Sequence, residues 1–270
     1  MTTAVAPTAR PLTRELRAVR VLWWREVLRL VRNRAQTALM LLNPLLFLLV
    51  LGVGLDGMTG TADGDYLRYV FPGVLLLAVQ VPALSAGASI VRDGEAGFLR
   101  GLLVAPVCRG TLLVGKCLGG ATAATAQGAL LLALAGVAGL PYRPGLLLAL
   151  LAELALAALT MTMVGAFAAV FVRRLETFQM LLSIAMMPLF FLSGALFSLK
   201  GLPAWLTVTS LANPLTYAVD ALRRTAAPGL SEGPRIAGWT PPIALELGLM
   251  LALTAVLLAA AAARFGRSTP

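Results

Sequence analysis

The sequence predicts an all-α integral membrane protein: six transmembrane helices preceded by an amphipathic helix in the membrane interface. Three observations carry that prediction. Hydrophobic residues make up 59% of the 270 and charged residues only 13%, against about 25% charged in ordinary soluble domains, and the mean hydropathy is +0.87. The apolar residues fall into runs of ~20, each long enough at ~1.5 Å per residue to cross a ~30 Å hydrocarbon layer. The basic residues gather at the ends of those runs, so the net charge of +10 reads as membrane orientation. Nucleic-acid binding is not expected, because the cations are not interleaved with aromatics on one surface.

Residues 1–11 are small, polar and Pro-containing and are expected to be disordered; they lack the early apolar core of a signal peptide. Over 12–34, Leu12, Leu16, Val19, Trp23, Val27, Leu30 and Val31 recur at helical spacing, with Arg14, Arg17, Arg25, Arg29 and Arg32 on other faces. Such a helix lies in the membrane interface, with Trp23 and Trp24 at headgroup depth, or packs as a cytosolic helix on a partner. The membrane domain then covers 35–263. Its first span runs over 35–55 with a kink at Pro44, and the second over 69–91, where Pro72 and Pro82 are tolerable among helices that re-satisfy the freed carbonyls. A charged stretch, 92–116, interrupts the apolar sequence. The third span, 117–140, is made of Ala, Gly, Leu and Thr, small residues that allow close helix contact, and Gly115 and Gly119 form a GxxxG pair at its start. A turn at Pro141 to Pro144 leads to the fourth span, 145–172. Arg173 and Arg174 make the tight turn before the fifth, 177–198, broken by Pro188. Residues 199–240 follow as a re-entrant segment: 202–222 is too apolar for a solvated loop yet is interrupted by Pro203, Asn213 and Pro214, as expected of half-helices that hide their backbone in protein. The last span, 241–263, ends in a basic tail, 264–270.

Counting lysines and arginines sets the orientation. The side holding both termini carries sixteen and the other side six, so both termini and residues 92–116 are predicted to be cytosolic. Cys108 and Cys117 then lie on the reducing side, too few for a metal site and read as structural.

Most site chemistry is excluded by composition. The chain has no His, which removes most zinc sites, Ser-His-Asp hydrolysis and histidine proton relays; no catalytic residues and no bound metal are expected. Glu153 and Glu246 are the two acids inside predicted spans, available for substrate contact or proton handling, or for structural hydrogen bonding. Gly110 to Cys117 reads GTLLVGKC, close to a phosphate loop, but it ends in Cys and runs into a span with no strand before it. Nucleotide binding by this chain is therefore not expected.

Two motifs identify a family. Glu95, Gly97, Leu99, Leu102, Leu103, Pro106, Arg109, Leu113, Gly115 and Lys116 resemble the E-x-G-x-L-x-x-L-L-x-x-P-x-x-R-x-x-x-L-x-G-K loop of the ABC-2 type permeases. Asn213, Pro214, Leu215, Tyr217, Asp220, Ala221, Leu222 and Arg223 resemble the N-P-L-x-Y-x-x-D-A-L-R segment of the same family, here serving as an extracytoplasmic motif. The likeness covers nearly the whole chain and is similar in flavour to the drug-resistance branch typified by daunorubicin-exporter permeases. Phe98 and Arg100 depart from the usual loop, where many relatives have Thr and an acidic residue.

The resemblance implies a cytosolic coupling helix between spans two and three that docks on a separate ABC nucleotide-binding ATPase. Arg92, Glu95, Gly97, Leu99, Arg100, Leu102, Leu103, Pro106 and Arg109 would form that surface, with Glu95 and Arg100 as charged contacts and the leucines as an apolar ridge. ATP and Mg would sit on the partner subunit and no cofactor on this chain. Two permease copies, expected as a homodimer, would pair with two ATPases in a bacterial plasma membrane. By the same resemblance, spans one, two and five line the pathway and dimer seam. On the fifth span, Phe178, Met186, Met187, Phe190 and Phe191, with Glu153 from the fourth, are the expected pathway residues, or else simply lipid-facing and packing groups. The implied activity is export of a hydrophobic or amphiphilic compound: a drug, secondary metabolite, lipid or modified peptide. Export of a lipid-linked glycan is the alternative, and a stand-alone transporter or membrane enzyme the more distant one.

Overall fold

The computed structural model describes residues 12–54, 65–96, 109–197, 199, 203–228 and 241–267. All regular structure among them is helical. The elements are α1 (Leu12–Arg32), α2 (Arg34–Phe47, continued as a π-helical segment over Leu48–Val53), α3 (Asp65–Glu95), α4 (Arg109–Leu132), α5 (Pro144–Ala169), α6 (Leu175–Phe191), α7 (Ala204–Ala212), α8 (Pro214–Ala226) and α9 (Ile243–Arg267).

The bundle is built round α3. Every residue from Val70 to Gln80 is buried, and α2, α4, α5, α6 and α8 all pack against this helix. At 31 residues it is about 46 Å long. Pro72 and Pro82 lie inside it without ending it. Close approach of α3 and α5 depends on two glycines. A methyl added at Gly165 would sit 2.5 Å from the Leu84 carbonyl oxygen and 3.0 Å from its Cα, and one added at Gly87 would strike the Gly165 carbonyl. The two backbones therefore touch where neither residue has a side chain, the close contact that small residues permit in membrane bundles.

Among the described residues, three helices are long and apolar enough to cross a membrane: Tyr66–Glu95, Pro144–Ala169 and Ile243–Arg264. The bent pair Glu15–Arg32 and Arg34–Val50 adds a fourth if read as one span, while Leu175–Phe191 is apolar but only 17 residues long. α4, rich in Gly, Ala and Thr, is not in that set.

Several boundaries differ from the sequence expectation, each for a local reason. Pro44 lies inside α2, and a sharp bend comes before it. That bend is the 76° break at Asn33, whose side chain caps α2 by accepting the Gln36 N–H at 3.4 Å. The helix of the expected third span, α4, starts at Arg109 and ends at Leu132, eight residues earlier at each end than expected. Lys116 is thus inside α4, and the chain beyond Leu132 forms a succession of turns. Tyr142 ties those turns off: its phenol accepts the Gly136 N–H at 3.0 Å and donates to the Ala133 carbonyl at 2.8 Å. The helix containing Pro188 continues three residues past it and stops at Phe191, short of Ser198.

α1 is docked as well as amphipathic. Among its described side chains the buried one is Leu22, outside the periodic set of apolar residues. Leu22 and Val19 meet Gly115, and Trp23 and Glu26 meet Gly119, so the GxxxG pair of α4 receives α1. The Trp23 indole N–H donates to the Thr122 hydroxyl at 3.0 Å. The opposite face leaves Leu16, Val21, Trp24, Leu28 and Val31 exposed among the equally exposed Arg17, Arg20 and Arg32, a mixed apolar and basic surface suited to the lipid interface.

Candidate functional site

The Asn213 to Arg223 motif folds as a staple. Asn213 caps α8 by accepting the Leu215 N–H at 3.1 Å, and its amide donates to the Leu189 carbonyl at 2.6 Å in the last turn of α6. Pro214 occupies the first turn, where its missing N–H costs nothing. Thr216 bonds the carbonyls of Ser210 and Leu192, and the Tyr217 hydroxyl donates to the Leu211 carbonyl at 2.7 Å. Arg223 is buried and donates to the carbonyls of Gly194 (2.9 Å), Ala195 (3.3 Å) and Tyr69 (3.3 Å), with its guanidinium 3.8 Å above the Tyr69 ring. The Asn-Pro and Asp-Ala-Leu-Arg ends of one short helix therefore close the orphan carbonyls where α6 stops.

Beside it lies a buried polar cluster. Asp220 and Arg224 form an ion pair one turn apart on α8. Arg224 also donates to the Pro241 carbonyl at 2.6 Å and reaches Glu246 of α9 at 3.5 Å. Thr225 donates to Glu153 of α5 at 2.6 Å, so both intramembrane acids are enlisted by the same helix. Arg223→Met should cost about 3 kcal/mol, because it strands buried acceptors that a neutral side chain cannot satisfy. Arg223→Lys should recover only part of that loss, since an ammonium lacks the planar fork. Thermal unfolding of the purified chain in detergent measures both.

At the other end of the bundle, charges bind α1, α3 and α4 together. Lys116 donates to Asp93 and to the Ser89 carbonyl at 3.0 Å. Arg25 meets Asp93 at 3.4 Å and Glu26 at 3.6 Å, and Glu26 also faces Arg29. The phosphate-loop-like GTLLVGK is thus helical, with its lysine committed to an aspartate of the neighbouring helix.

Of the expected coupling residues, Gly97, Leu99, Arg100, Leu102, Leu103 and Pro106 lie outside the described residues, and Arg109 begins α4. Arg92 and Glu95 end α3 and are exposed. The Glu95 carboxylate accepts the Leu175 backbone N–H at 2.9 Å, the first N–H of α6. A carboxylate at a helix N-terminus satisfies an orphan donor and complements the helix dipole. This contact, which sequence spacing could not reveal, joins the start of the charged stretch to the fifth apolar helix.

The expected pathway residues divide by environment. Phe178 and Phe190 are fully packed, and Phe190 meets Phe47 edge-on at 6.0 Å. Met186 is half-buried, its carbonyl accepting the Gln80 amide at 3.0 Å. Met187 and Phe191 are exposed, and with Met180 and Ile184 they form one open apolar face of α6.

Among the described residues the structure is all-helical, with long apolar helices and charged clusters joining helices at both ends of the bundle, the architecture of an integral membrane protein. Residues 17–226 match the ABC-2 type transporter family. The chain belongs to that family. It is 26% identical over 68% of its length to a protein of Cyanophora paradoxa designated ycf38 and named as a transport permease, and the match spans 65% of that relative. It is 24% identical to the inner membrane transport permease YadH of Escherichia coli K12, over 76% of this chain and 81% of the relative. Nodulation protein J of Rhizobium leguminosarum bv. viciae is 26% identical over 68% of this chain and 72% of its own length.

Proposed function

We propose that this chain is the six-span membrane subunit of an exporter, driven by ATP hydrolysis on a separate nucleotide-binding subunit and working as two permease copies with two ATPases. Both termini and residues 92–116 face the cytosol, in keeping with the bias of lysine and arginine. The cargo is a hydrophobic or amphiphilic compound carried outward. The observation that carries this reading is the bond from Glu95 to the first N–H of α6. The segment that follows Glu95 is the docking surface, and its displacement pulls directly on the helix that bears the open Met and Phe face.

Co-purification of the tagged chain from its native membrane tests the assembly. A soluble subunit with a true phosphate loop is expected in near one-to-one ratio, and its absence would sink the proposal. Inverted vesicles loaded with the pair should accumulate amphiphilic dyes on addition of ATP. Stimulation only by a lipid-linked glycan would replace the cargo while leaving the architecture standing.

A further inference from the structure

A cavity of about 340 Å³ opens among α1, α2, α3, α4 and α6 at the charged end of the bundle, inside the ~300–1,000 Å³ range of small-molecule sites. Its shape follows from spacing. Lys116, Gly120, Ala123 and Gln127 present one face of α4 to it, and Pro82, Ser85, Ser89 and Arg92 one face of α3. Eleven residues of helix make the slot about 16 Å long. It is narrow because Gly120 packs against Ala86, where even a methyl would collide.

Its chemistry is graded along that length. Arg29, Arg92 and Lys116 stand at the mouth against Glu26 alone. Lys116 is held by Asp93, and Arg29 shares Glu26 with Arg25. Four cations thus face two carboxylates, and Arg92 makes no ion pair with any described residue. Beyond them the lining mixes apolar Leu30, Met40 and Leu182 with Thr37, Ser85 and Gln179, and Thr37 and Ser85 spend their hydroxyls on nearby backbone carbonyls. At its far end Gln127 is 3% exposed and its Oε1 has no hydrogen-bond partner, while its Nε2 finds only the Met40 sulfur at 3.7 Å. A buried amide left half-satisfied is costly, and a ligand that completes it recovers that cost.

We propose that this slot binds a single-chain anionic amphiphile, with its phosphate or carboxylate on Arg92 and Arg29, its alkyl chain in the groove that α3 and α4 form facing α2, and a donor on the chain meeting Gln127. The inference rests on the export reading and narrows the cargo to that class. The same chemistry could instead come from an anionic phospholipid of the surrounding leaflet.

The test uses the full chain in phosphatidylcholine nanodiscs and dodecyl phosphate carrying a diazirine at the tail. Labelling is expected on α4 near Gln127. Unlabelled dodecyl phosphate should compete, while dodecanol and inorganic phosphate should not. Arg92→Gln, at an exposed position that does not threaten folding, should weaken binding about tenfold, the worth of one charge-assisted hydrogen bond. A 12-hydroxydodecyl phosphate should compete better than dodecyl phosphate, and Gln127→Leu should erase that advantage without unfolding the chain, as its size-exclusion profile checks. Discs doped with dioleoyl phosphatidic acid separate the sources: competition assigns the slot to a resident lipid and overturns the cargo, and its lack supports a free amphiphile. Equal competition by dodecanol, full competition by inorganic phosphate, or unchanged labelling in Arg92→Gln would each overturn the site. None of these readouts needs an ATPase, so they fail or succeed independently of the co-purification.

Discussion

Gly165→Val is expected to leave almost no folded protein in the membrane. Overpacking a yielding core costs about 1–3 kcal/mol, but here the added carbons meet the Leu84 backbone, at 2.5 Å from its oxygen already for the first of them. A carbonyl inside a continuous helix cannot rotate away, so α3 and α5 must separate along their length. The cost should exceed ~4 kcal/mol, the range that marks core disruption. Fluorescence-detected size exclusion would read this as loss of the monodisperse peak. Gly145→Val is the matched control, because nothing lies within 4 Å of a Cβ at Gly145, and it should behave as wild type. If Gly165→Val is also well folded, the bundle tolerates a gap between its two central helices and the packing described here is not what holds it.

The second large effect concerns the junction at Glu95. Exchanging Glu95 for Arg and Arg100 for Glu is expected to cut ATP-driven efflux more than about tenfold, the scale set by losing charged contacts at a docking surface, while ATP hydrolysis continues and the chain stays folded. Two single changes separate the roles of Glu95. Glu95→Gln keeps an oxygen that can accept the Leu175 N–H but loses the charge, whereas Glu95→Ala loses both. Transport retained in Gln and lost in Ala places the function in the cap on α6; transport lost equally in both places it in the charge. Full transport in the double exchange would exclude this corner from the coupling path.

The class of fold was legible because it rests on composition and on apolar run length, which are not sensitive to register. Helix ends were less so. α4 begins at Arg109 and not after Lys116, because a lysine inside a helix is unremarkable once Asp93 neutralises it, and no local signal announces that partner. The Asn213 to Arg223 motif could be recognised as a string, yet its physical task, closing the carbonyls where α6 stops, depends on residues far off in sequence: Tyr69, Leu189, Gly194 and Ala195. Gly87 and Gly165 were invisible among 26 glycines, since only a contact shows which glycine has a backbone against it. The same holds for Leu22, which α4 buries although the periodic pattern of α1 does not need it. Glu153 and Glu246 were visible as costly acids, and their shared dependence on α8 was not, since Arg224 and Thr225 reach them across separate helices.

The docking of α1 on α4 also bears on how the chain is made. Trp23 and Thr122 are 99 residues apart in sequence, so at a synthesis rate of ~5–20 residues per second the first helix emerges roughly 5–20 s before its seat exists. During that interval it has nothing to hold but the bilayer. Its exposed Leu16, Val21, Trp24, Leu28 and Val31 let it wait at the lipid surface, shielded from aggregation, until the fourth helix is inserted and offers Gly115 and Gly119. The amphipathic face that serves the finished permease thus serves the nascent one first, as a temporary mooring.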